Sequence, residues 1–125
     1  MEPLLAVSAQ SPPPTAVLGT VGLLALFLSV TAHLAARNVL GDVPPSKALG
    51  VGIGPAIVSV GTELLSIPGG LGVLVALVVD AAAIHLLYGQ PRRTTAYITA
   101  IHAVITILLG SVLVGGLVVL ASLPG

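Results

Sequence analysis

The sequence predicts an all-α, polytopic membrane protein, an antiparallel bundle of four transmembrane helices. Three observations carry that prediction. Of 125 residues, 56% are hydrophobic and only 6% charged, against roughly 25% charged in an ordinary soluble domain. Four apolar runs, at 15–37, 48–67, 71–88 and 95–120, are each near the ~20 residues that cross a bilayer as a helix. The turns between them are short and rich in Gly and Pro, so consecutive helices are expected to lie side by side and antiparallel.

Residues 1–14 read as an extracellular tail, and 15–125 as one transmembrane domain. The tail carries Glu2 and no Lys or Arg, and its apolar stretch is too short for a cleavable signal peptide. Pro12, Pro13 and Pro14 allow a helix to begin but not to precede them. The first span should end at the turn GDVPPSK, with Gly41 as its C-cap. In the second span, Pro55 follows Gly50, Gly52 and Gly54 and is expected to kink or open the helix. Pro68–Gly69–Gly70 leads into the third span and QPRRTT into the fourth. Tyr88 and Tyr97 flank Arg92–Arg93, as interfacial aromatics would.

Arg37, Lys47, Arg92 and Arg93 are the only basic residues, and all lie at the first or third turn. The positive-inside rule therefore puts those turns in the cytoplasm and both termini outside. Basic residues this sparse exclude a nucleic-acid-binding surface. With no cysteine, disulfides, thiolate metal sites and thiol nucleophiles are excluded too.

Each span carries small or polar residues at helical spacing: Gly22, Ala25, Ser29, His33 and Ala36; Gly52, Ala56, Ser59, Glu63 and Ser66; Gly72, Ala76, Asp80 and Ala83; Thr95, Thr99, His102, Thr106 and Gly110. Such stripes let helices approach closely and hydroxyls bridge between them. Ionisable groups inside a membrane are costly and are functional candidates by default. Asp80 falls near the midplane and Glu63 nearer the outer interface, while His33, His85 and His102 fall in one layer on the cytoplasmic side. Asp80 has no intramembrane Lys or Arg to pair with, so it is expected to be a neutral acid donating a hydrogen bond to Thr106 or Ser59.

With GDVPPSKAL, DAAAIHLLYG and TTAYITAIHAVITILLG in order, the chain resembles an uncharacterised haloarchaeal family of small four-helix integral membrane proteins. That resemblance implies the fold and brings no catalytic residue. No nucleophile elbow, phosphate loop or HExxH zinc motif occurs. The reading is a non-enzymatic membrane protein in the lipid bilayer that packs with copies of itself or with other membrane proteins, without cofactor. Two alternatives stand beside it. One is a small transporter or proton-conducting subunit using Asp80 and Glu63. The other is a haem-binding or quinone-interacting electron carrier, with His85 and His102 as the axial pair, and His33 in the same layer.

Overall fold

The computed structural model describes residues 12–124, and these form four α-helices joined by short turns. They are α1 (Pro14–Leu40), α2 (Pro45–Leu64), α3 (Gly69–Tyr88) and α4 (Arg92–Ser122). Most of the expected tail, 1–14, lies outside the described residues.

Proline and glycine punctuate the chain as their backbone chemistry dictates. Three helices start directly after a proline in extended or near-extended conformation, Pro13, Pro44 and Pro91, and α3 starts after Pro68. A proline there loses nothing, because the first N–H groups of a helix have no intrahelical partner. Helix α1 ends as expected at Gly41, whose φ of 82° suits a residue without Cβ and whose N–H donates to the Arg37 carbonyl at 2.9 Å. Gly89 does the same for α3 in the left-handed region, donating to His85. Pro55 does not end α2. The helix runs through it, and Pro55 is buried among the neighbouring helices.

The helices pack in a ring: α1 against α2 and α4, and α3 against α2 and α4. Residue pairing sets the register. Thr62 meets Gly72, Val79 meets Gly54 and Leu87 meets Gly50, so the α3 position rises as the α2 position falls. Across α1 and α4 the pairs are Thr31 with His102 and Phe27 with Gly110. Lys47 lies 5.8 Å above the Tyr88 ring, which places the two basic turns at the same end.

The core sits at that end. It is built from Ala32, Ala35, Ala36, Ala48, Val51, Ile84, Tyr88 and Ile98. Four of these are alanines, and they bring α1 and α2 close together. Gly52 makes the tightest approach: a Cβ there would lie 2.5 Å from the Ala25 carbonyl oxygen. Gly50 and Gly54, four residues apart, face Leu87 and Val79 of α3 instead and so join a different pair of helices from Gly52.

Away from the basic end, the helices separate. Every residue of 111–122 in α4 is exposed, as are the large apolar side chains Leu18, Leu23, Leu74, Leu108 and Leu113. Three helices, α1, α3 and α4, are long and apolar enough to cross a membrane. Helix α2 falls short of that measure, since Lys47, Ser59, Thr62 and Glu63 interrupt its apolar residues. Its chain also leaves the helix after Leu64, earlier than the expected 67, through Ser66 at a φ of 57°.

Candidate functional site

Where α2, α3 and α4 separate they leave an open cleft of about 660 Å³. Its mouth lies at the α2–α3 turn, marked by Glu63, Ser66 and Gly69, and its inner end is lined by Asp80, His102 and Leu28. Thr62 sits level with Gly72, which puts the mouth ~12 Å from Asp80 at 1.5 Å per residue along α3. The walls alternate small with polar side chains, Ser59, Ala76, Ala103 and Thr106 among them. The stripes of α2, α3 and α4 thus face one another, as helical spacing requires. They line a space there rather than closing it.

The inner end is a hydrogen-bonded chain across three helices. Asp80, on α3, is 4% exposed, and its Oδ2 lies 2.7 Å from Nδ1 of His102 on α4, itself 3% exposed. The other ring nitrogen, Nε2, is 3.1 Å from the Leu28 carbonyl and 2.9 Å from the Thr31 hydroxyl, both on α1. Thr106 donates to Thr31 Oγ1 at 3.1 Å. One oxygen, Asp80 Oδ1, is buried without a hydrogen-bond partner.

The acceptors limit where the protons sit. A carbonyl oxygen only accepts, so the contact with Leu28 calls for a hydrogen on Nε2. The hydrogen between Nδ1 and Oδ2 then makes the pair neutral overall, as imidazolium with carboxylate or as imidazole with carboxylic acid. Loss of one proton is also accommodated. The Thr31 hydroxyl, which donates to Leu28 at 3.1 Å, can turn to donate to a bare Nε2 while Nδ1–H donates to the carboxylate. The site has hydrogen-bonded arrangements at charge 0 and at charge −1.

This geometry replaces the expected partners of Asp80. Thr106 reaches Thr31, and it is His102 that meets the carboxylate. The reason is helix length: α4 begins at Arg92, three residues before the expected 95, which carries His102 ~4.5 Å deeper. Glu63 is exposed at the mouth and also borders a smaller cavity of about 270 Å³ between α1 and α2. His85 is exposed near the third turn, and its Nδ1–H donates at 3.3 Å to Thr95 Oγ1, which donates in turn to the Gln90 carbonyl. His33 is half-buried, with Nδ1 unpartnered. Of the three histidines, only His102 reaches the cleft. Among the described residues no three His, Asp or Glu side chains converge as a metal-ligand set. Sequence reasoning missed Thr31, which lies off the α1 stripe, and the Leu28 carbonyl, which carries no side-chain signal at all.

A family model matches residues 11–124. The chain belongs to DUF7473, a family of unknown function. No curated protein and no solved structure matches the DUF7473 chain, so its activity must be argued from the cleft.

Proposed function

We propose that the chain crosses a membrane four times as an antiparallel bundle with both termini outside, and that its cleft is an outward-facing binding site for a small solute. That is the step a small transporter or proton-conducting subunit requires. The carrying observation is the open cleft whose inner end holds a buried carboxylate with one unpaired oxygen. A carboxylate deep in a span costs ~2.5–3.5 kcal/mol on insertion scales. A packing role alone explains the small residues but leaves that cost and the unfilled space without a reason.

Insertion is supported by three long apolar helices and by outward faces of Leu, Val and Ile that water would not tolerate. Helix α2 joins them as the fourth span because its polar residues Ser59, Thr62 and Glu63 border the cleft. Both basic turns share one end, and the cleft mouth lies at the other. Positive-inside orientation then opens the cleft to the outside.

The absence of cysteine makes the test direct. A thiol introduced as Ala76→Cys, one helical turn outward from Asp80, should react with a water-soluble methanethiosulfonate added outside intact cells. Failure of that thiol to react in folded protein would overturn the reading of an outward-facing, hydrated cleft.

A further inference from the structure

We infer that the cleft binds an organic monocation in exchange for the proton held between Asp80 and His102. The inference rests on the cleft being a solute site and names the chemistry of its ligand. Among the described residues the acidic side chains lining it are Glu63 at the mouth and Asp80 at the inner end, His102 is the one other ionisable side chain there, and no Lys or Arg lines it. All four basic residues belong to the far end of the bundle. A low-dielectric cleft with carboxylates of one sign attracts and concentrates cations. Its remaining walls are largely apolar: Leu28, Pro55, Val73, Leu77, Ala103 and Ile107. These suit an organic body better than a bare metal ion, which would need several oxygen ligands.

The hydrogen bonds supply the exchange. With its proton the Asp80–His102 pair is neutral, and a cation beside Asp80 at the inner end of the cleft would leave the site with a net positive charge. If the proton leaves as the cation enters, the site stays neutral: cation plus protonated pair gives cation on the singly negative pair plus one released proton. Thr31 provides the donor that the deprotonated ring requires at Nε2. Among the described residues no other ionisable group lines the inner end. Helix α1 presents Leu28 and Thr31 there, α2 contributes the distant Glu63, α3 Asp80 and α4 His102.

The test uses the full chain in lipid nanodiscs carrying Ala76→Cys. Its thiol is treated with two methanethiosulfonates, one ending in trimethylammonium and the other in sulfonate. Relative to the same rate ratio at an exposed Ser122→Cys thiol, the cationic reagent should be favoured about tenfold or more. Glu63→Gln should lower that preference, and Asp80→Asn should bring it close to the control. An uncharged methanethiosulfonate should react unchanged in both variants, which reports an intact cleft. If Asp80→Asn does not fold, the exposed Glu63→Gln still decides. Benzyltrimethylammonium should slow the reaction and release up to one proton per cation bound. Its neutral isostere neopentylbenzene should do neither. A thiol that reacts without charge preference, or is protected equally by the neutral isostere, overturns the cation assignment and leaves the solute site standing. Protection without proton release overturns the exchange. A thiol inert to all reagents removes both readings.

Discussion

His102 Nδ1 and Asp80 Oδ2 lie 2.7 Å apart, the one salt-bridge contact among the described residues. It ties α3 to α4 where those helices begin to separate, and its other ring nitrogen ties α4 to α1. Removing one partner should therefore cost more than removing both. Asp80→Leu strands a buried ring nitrogen and should destabilise by ~1–3 kcal/mol. His102→Leu strands the carboxylate and should cost at least as much. The double variant should recover part of the loss, and Asp80→Asn, whose amide oxygen still accepts from Nδ1–H, should stay close to the parent. Reversible unfolding in mixed micelles gives the four values. Strict additivity of the two single losses would mean that the pair is not coupled.

Glycine positions separate packing from mere composition. At Gly52 a Cβ would press on the Ala25 carbonyl and the Ser29 backbone of α1, and neither can move without shifting the helix. Gly52→Ala should cost ~1–3 kcal/mol. At Gly19, also mid-helix, nothing lies within 4 Å of the added carbon. Gly19→Ala should be neutral or stabilise by up to ~1 kcal/mol through helix propensity. Equal effects in the same unfolding measurement would contradict the close α1–α2 approach.

Much of this arrangement was legible in the sequence because it follows from period and punctuation. Pro13, Pro44 and Pro68 mark the starts of three helices, and Gly41 marks an end, since both residue types act through their own backbone. The stripes showed which faces of α2, α3 and α4 meet. What period cannot show is axial register, which depends on where each helix starts. Starting α4 late by one turn hid the Asp80–His102 pair and suggested Thr106 in its place. Nor can a stripe distinguish a closed interface from an open one: Ser59, Ala76 and Thr106 look alike in either. Thr31 was invisible for a related reason, because it serves one histidine rather than a continuous face.

Orientation has its own test. Ser46 lies in α2 beside the basic turn, and Ser122 ends α4 at the opposite end of the bundle. Single thiols at Ser46→Cys and Ser122→Cys should behave oppositely toward an impermeant reagent in intact cells. The Ser122 variant should be labelled and the Ser46 variant protected until the membrane is opened. The reverse pattern would turn the cleft toward the cytoplasm and overturn the outward-facing reading.

The sharpest prediction concerns Thr31, whose hydroxyl has two acceptors within reach and one hydrogen to give. At 3.1 Å it donates to the Leu28 carbonyl, and at 2.9 Å it meets His102 Nε2. While the Asp80–His102 pair holds its proton, Nε2–H donates to Leu28 and Thr31 needs only to accept, which it does from Thr106. Once that proton leaves, the neutral ring must place its hydrogen on one nitrogen. The carboxylate draws it to Nδ1, leaving Nε2 bare, and a bare buried nitrogen without a donor costs ~1–3 kcal/mol. Thr31 is the group that removes this cost. Thr31→Val keeps the shape and loses the hydroxyl, so the protonated state should change little and the deprotonated state should be disfavoured. Nitrogen NMR of the His102 ring resolves the tautomers. In the parent chain, loss of the pair's proton should move the ring's hydrogen from Nε2 to Nδ1. In Thr31→Val the form with a bare Nε2 should be less populated than in the parent under matched conditions, since it has lost its donor. A ring that shows the same forms in the same proportions in both proteins, with Nε2 still carrying its hydrogen, would show that Thr31 only fills space and that the site has no second arrangement.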